Sequence, residues 1–129
     1  MSWQMARAVC ENLGGHLVTI TSEAEQLVVQ QIPECGSKKQ YWLGLDLSEK
    51  QWVTGESISY TKWGSGQPDG FVRNNGDTES YAQIYNKLDS WNNTNRFEWN
   101  DCFDNNLIKD KCTFFDLPHI GFICEIMVE

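Results

Sequence analysis

Hydrophobic periodicity changes once along this chain, at Pro33, and that change limits the possible folds more than any single motif does. Before it the pattern is helical. Ser2 can cap a first helix, and Trp3, Ala6, Cys10 and Leu13 recur at helical spacing until Gly14-Gly15 stops the run. His16-Leu17-Val18-Thr19-Ile20 reads as a short extended segment. Ser22-Glu23-Ala24-Glu25 is a capping box with acids in the first turn of a second helix. Its inner face is predicted to be Ala24, Leu27, Val28 and Ile32, and Pro33 ends it. After Pro33 the helical signal is gone. Tyr41 to Leu45, Gln51 to Val53, Ile58 to Tyr60, Tyr81 to Tyr85, Phe97 to Cys102 and Gly121 to Val128 read as strands. The Tyr81–Tyr85 run alternates like a half-buried strand, and the last run reads as one buried strand. Two helices followed by strands predict an α+β domain.

One stretch fits no element. From Lys62 to about Ser80, Gly, Asn, Asp, Ser and Pro dominate and apolar periodicity is lost. A loop of this length inside a compact domain is usually functional. It carries Gln67-Pro68-Asp69, with Glu79 at its far end and Trp99-Asn100-Asp101 further on. Amide and carboxylate oxygens alternate through these pieces. A hard cation wants that set, since Ca²⁺ takes about six to eight oxygen ligands and accepts carboxylate, amide carbonyl and water together.

Composition bounds the alternatives. The chain has 129 residues, one domain on length, and six Trp, six Phe and four Tyr point to an aromatic-rich core or binding face. A net charge of −8 argues against nucleic acid and anionic membrane surfaces as partners. No apolar run approaches membrane-spanning length, so no membrane insertion is expected. No signal peptide is visible. Met1 runs straight into the first helical pattern, which predicts a chain that starts earlier, with a signal or a first strand before Met1. The five cysteines match no zinc spacing, and the only histidines are His16 and His119. Disulfides, and with them an extracellular or cell-surface location, are the better reading. Asn92-Asn93-Thr94 is a glycosylation sequon.

Together these pieces resemble the C-type lectin-like domain family. Ser2 to Cys10 and then Leu13-Gly14-Gly15-His16-Leu17 look like its first helix and following turn. Tyr41-Trp42-Leu43-Gly44-Leu45 resembles its Trp-Ile-Gly-Leu core strand. Trp99-Asn100-Asp101 matches its Trp-Asn-Asp motif, and Gly121-Phe122-Ile123-Cys124-Glu125 its closing strand. The match is in order and covers almost the whole of residues 1–129. Glu79-Ser80-Tyr81, with Tyr where animal members usually have Cys, looks more like bacterial versions.

The resemblance implies two helices with antiparallel strands in two small sheets and a long calcium-binding loop. It implies a cis peptide before Pro68, which turns Gln67 and Asp69 toward one cation. The implied Ca²⁺ ligands are Gln67, Asp69, Glu79, Asn100 and Asp101, with Asp77 an alternative to Glu79. Vicinal sugar hydroxyls would replace water on the ion while Gln67 and Asn100 donate through their amides and Asp69 and Glu79 accept. In this family Gln-Pro-Asp usually accompanies an axial 4-hydroxyl, so the implied partners are galactose-type glycans, with Phe71 (or Trp91) stacking on the sugar. Binding of one sugar would be weak and made useful by oligomers or tandem domains. Also by resemblance, Cys10 pairs with Cys124. Away from the family pattern, Cys102 and Cys112 are expected to form a local clip, which leaves Cys35 single.

The sequence departs from the family at five points: the first strand is missing before Met1, the stretch between Asp69 and Glu79 is long, Tyr81 removes half of the usual loop disulfide, Cys102 stands earlier than the family's partner cysteine, and the segment 102–120 is long. The long segment keeps a second function open, a protein-binding or adhesion module on the same fold. No nucleophile–base pair is visible, so an enzyme is not expected.

Overall fold

A computed structural model of the chain describes residues 2–32, 40–68, 80–88, 94–102 and 120–126. The elements run α1 (Trp3–Asn12), β1 (Gly15–Leu17), α2 (Glu23–Val29), β2 (Gln40–Asp46), β3 (Gln51–Trp52), β4 (Tyr81–Tyr85), β5 (Trp99–Cys102), β6 (Ile120–Phe122) and β7 (Cys124–Ile126). This is the expected α+β architecture, with two helices and two sheets. The larger sheet has the order β3-β2-β4-β5, and β6 also pairs with β2; the smaller is β1-β7. One pairing departs from the antiparallel expectation, because β6 runs parallel to β2.

The helix signals act as read. The Ser2 Oγ accepts the Met5 amide N–H at 3.2 Å, and Ser22 Oγ accepts that of Glu25 at 3.1 Å. In the second box Glu25 reaches back to the N–H of Thr21 rather than to its own cap. Gly14 supplies a φ of +87° after α1. Gly15 serves a different need, because a Cβ there would lie 1.9 Å from the Glu125 carbonyl oxygen, where β1 meets β7.

Three expectations are corrected. The buried residues of α2 are Gln26 and Val29, not the predicted apolar stripe; Leu27, Val28 and Ile32 are half or more exposed. The carboxamide of Gln26 is drawn inward by two hydrogen bonds to the β5 region, which rotates the helix. Gly121–Val128 is not one strand. It passes from the larger sheet as β6 to the smaller as β7, with Ile123 buried between them and its carbonyl accepting Val18 N–H at 2.9 Å. Ile58–Tyr60 makes no strand, and among the described residues the pairing nearby is an isolated bridge between Gln51 and Ser57.

Aromatic and aliphatic burial holds the sheets to the helices. One cluster joins Val18, Ile20 and Val29 to Tyr41, Leu43, Leu45, Trp52, Ile84 and Trp99. The other sets Trp3, Ala6 and Cys10 of α1 against Leu17, Trp42 and Cys102. Trp3 Nε1 donates to the Leu43 carbonyl at 2.8 Å, which satisfies a buried indole and fixes α1 on β2. The Cys10–Cys124 disulfide ties α1 to β7, as the resemblance implied. Among the described residues no helix is long and apolar enough to cross a membrane.

Candidate functional site

The place where the long polar loop meets the sheet is built around Trp99. Its indole is fully buried and meets Trp52, Tyr60 and Trp63 edge-on, with centroids 5.7, 6.0 and 5.6 Å away. Its Nε1–H donates to Gln26 Oε1 at 3.0 Å. Its main chain faces outward from the sheet, since β5 is the last strand of its row. There Trp99 N–H donates to the Lys62 carbonyl at 2.8 Å and its own carbonyl accepts Gly64 N–H at 2.9 Å. The chain turns at once: Gln67 N–H donates to the Gly64 carbonyl at 2.9 Å, Gly66 takes a φ of +79°, and the Gln67–Pro68 peptide is cis. The loop's approach is therefore strapped to β5 at the residue just before Asn100.

Asn100 and Asp101 are both fully buried. Strand alternation puts them on opposite faces of β5. Asp101 shares the face of Trp99, opposite Ala82, and Asn100 lies opposite Gln83. Side chains from the two faces of an edge strand converge only beyond its edge, and that edge is where the Lys62–Pro68 segment lies. A cation held by both would sit there. The donor chemistry fits a hard ion, with two amide carbonyls and a carboxylate among the described members of the expected set. Gln67 Oε1 and Asn100 Oδ1, the atoms those amides would offer to a metal, are buried and receive no hydrogen bond, while both side chains have other contacts. Among the described residues no three His, Cys, Asp or Glu side chains gather into a metal-binding group. Two of the three expected acids, Asp69 and Glu79, lie outside the described residues, as do Asp77, Phe71 and Trp91.

Of the cysteines beyond the Cys10–Cys124 pair, the described residues include one. Cys102 is fully buried, and its Sγ lies 3.1 Å from Gln83 Oε1. It packs in the cluster of Trp3, Ala6 and Trp42. Cys112 and Cys35 lie outside the described residues.

Sequence reasoning missed a buried polar row across three strands. Gln40 on β2, Gln83 and Tyr85 on β4, and Asn100 on β5 are at most 2% exposed. Gln40 Nε2 donates to Gln83 Oε1 and, at 3.4 Å, to Tyr85 Oη; Asn100 Nδ2 donates to the same Oη at 3.4 Å. The alternation of Tyr81–Tyr85 had implied a solvent face for Gln83, but β4 is buried on both faces. Elsewhere, Tyr60 hydrogen-bonds the Glu23 carboxylate, and its phenol is pushed up to about 12 by desolvation and then by that carboxylate. A groove of about 340 Å³ between α2 and β7 is lined mainly by Val18, Ala24, Val28, Val29, Ile32 and Ile123. None of the candidate ligands lines it, and its apolar walls offer little to a sugar.

The comparisons with known proteins agree with this architecture. Residues 1–107 match the family described as Lectin C-type domain. A perlucin-like protein of Mytilus galloprovincialis is 35% identical over 130 residues, spanning 95% of this chain and 69% of the relative. The hepatic lectin of Gallus gallus is 33% identical over 109 residues, 80% of this chain but 45% of that longer protein. Among solved structures, the mouse scavenger receptor C-type lectin carbohydrate-recognition domain superimposes with a TM-score of 0.67 at 26% identity, covering 95% of this chain and 80% of that one. A Ca²⁺-independent C-type lectin, SPL-2 of Saxidomus purpuratus, gives 0.62 at 25% identity over 81% and 72% of the two chains. Members of this family are generally binding proteins rather than enzymes. The chain belongs to the C-type lectin domain family.

Proposed function

We propose that residues 1–129 form one calcium-dependent carbohydrate-binding domain that takes galactose-type sugars. The observation that carries this reading is the strapping of the Gln67–Pro68 turn to β5 through Trp99, one residue from the buried Asn100-Asp101 pair. Two motifs far apart in sequence are brought to one strand edge with the oxygen donors a hard cation takes. In this reading Gln67, Asp69, Glu79, Asn100 and Asp101 hold Ca²⁺, which when bound supplies positions that two vicinal hydroxyls can fill. The amide N–H groups of Gln67 and Asn100 then donate to those hydroxyls, and the carboxylates of Asp69 and Glu79 accept from them. The amide-before-acid order of Gln67-Pro68-Asp69 favours an axial 4-hydroxyl, and Phe71 stacks on the apolar sugar face. The Cys10–Cys124 disulfide supports an extracellular or cell-surface setting. Single sites are weak, and copies joined in oligomers or tandem make the binding effective.

The test is retention on immobilised galactose and mannose. Retention on galactose, released by chelator, supports the reading, and equal retention on both sugars refutes the stereochemical part. The structural likeness to a Ca²⁺-independent C-type lectin favours a second reading, sugar binding without the metal. Retention that persists in chelator selects it. No retention on either sugar selects a protein-binding or adhesion module.

A further inference from the structure

The buried row beneath the site does more than fill space. Asn100 presents an amide with two different ends. If its carbonyl oxygen is to meet a cation, its amide nitrogen must be fixed elsewhere, because in a buried setting a carboxamide turns toward whichever partner is available. Among the described residues, two partners are in reach. One is Tyr85 Oη, which accepts Asn100 Nδ2 at 3.4 Å and Gln40 Nε2 at 3.4 Å, so both phenol lone pairs are used. The other is Gln83, directly opposite Asn100 in the strand register. The Gln83 carbonyl is already taken by Gln40 Nε2 and Cys102 Sγ, and its Nε2 is buried with no acceptor. A buried donor of that kind is costly and attracts any acceptor within cross-strand reach.

We propose that Tyr85 is a positioning residue for the calcium and sugar site. Its hydroxyl holds the nitrogen end of the Asn100 amide and keeps the carbonyl end for the cation. Without the hydroxyl, the Asn100 carbonyl turns to Gln83 Nε2 and leaves the ligand set. This inference rests on the proposed calcium reading, and it adds a residue that contacts neither metal nor sugar.

The experiment is calorimetric titration of calcium into the wild-type domain, Tyr85→Phe and Tyr60→Phe, well below each melting temperature. Tyr60→Phe is the control, since it removes a hydroxyl bonded to Glu23 and leaves Asn100 untouched. Loss of an outer partner of a metal ligand weakens metal binding by about 10–100-fold, and a weakening of at least about tenfold is expected for Tyr85→Phe alone. Unchanged affinity in Tyr85→Phe overturns the positioning role and leaves the calcium reading standing. Equal weakening in both variants also overturns it, because general loosening then explains the loss. A wild type that binds no calcium overturns the calcium reading and this inference with it. If Tyr85→Phe does not fold, the Asn100 side-chain amide is followed by NMR in the calcium-free wild type. Slow hydrogen exchange at Nδ2 supports the contact with Tyr85, and free exchange overturns it.

Discussion

Replacing Gln26 by Leu tests how the fold fixes the β5 edge. Gln26 is fully buried on α2 and joins that helix to Trp99 of β5 and to Phe97 just before the strand. Its Oε1 accepts the Trp99 indole N–H at 3.0 Å, and its Nε2 donates to the Phe97 carbonyl at 2.9 Å. Leucine fills similar volume and makes neither bond. The Trp99 N–H is then left buried without an acceptor, which costs about 1–3 kcal/mol. The Phe97 carbonyl is partly exposed and can turn to water, so its loss adds about 1 kcal/mol or less. The sum is about 3 kcal/mol. For 129 residues the unfolding entropy is about 0.27 kcal/mol per kelvin, so the melting temperature should fall by about 11 °C. Urea unfolding followed by tryptophan fluorescence and by far-UV circular dichroism gives the free-energy change directly. A loss below about 1 kcal/mol refutes the reasoning, because it means the indole finds another acceptor or was never held by this one.

Four further outcomes are expected. Asp101→Ala removes calcium and sugar binding together while the fold survives; sugar binding lost with calcium binding intact, by calorimetry, contradicts the ligand assignment. Gln67→Glu with Asp69→Asn moves preference toward mannose-type sugars, and an unchanged preference on a panel of immobilised sugars refutes the proposed diol geometry. The Cys10–Cys124 bond spans 114 residues, so a double alanine variant should lose about 4–5 kcal/mol by the chain-entropy account, and a loss under about 1 kcal/mol in urea contradicts it. Tyr60 has its pKa raised from 10.0 to about 12 by burial and by Glu23, so its contribution to stability is complete below pH 10 and is lost as pH rises through about 12. Comparing urea midpoints of the wild type and Tyr60→Phe across that range should show the wild-type advantage disappearing, and a constant difference refutes it.

The fold was legible where local chemistry and tertiary packing agree. Ser2, Ser22 and Gly14 announce helix ends because capping and positive φ are local demands. Tyr41–Leu45 reads as a buried strand because both of its faces are apolar. The failures lie where a polar side chain is satisfied by something remote in sequence. Gln26 looks like a surface residue of α2 until Trp99 and Phe97, more than 70 residues away, claim its amide. Gln83 looks like the outward half of an alternating strand until Gln40 covers it from β2. Leu27, Val28 and Ile32 are apolar and therefore attract an inward assignment that the inward turn of Gln26 overrules. No spacing in the sequence shows that Gly121–Val128 changes sheets at Ile123, because each half alone is an acceptable strand. Of the expected ligands, Asn100 and Asp101 are legible through their place after Trp99. What brings the turn at Gln67 to the strand that carries them is a set of main-chain bonds between Lys62, Gly64 and Trp99, and main-chain bonds leave no residue-type signature.

The most direct test of the central claim is calorimetric titration of the domain with N-acetylgalactosamine, galactose and mannose, first with calcium and then with excess chelator. The account predicts binding heat for the two galactose-type sugars only, and its disappearance in chelator. Heat that survives chelation, or calcium binding with no heat for any sugar, contradicts it.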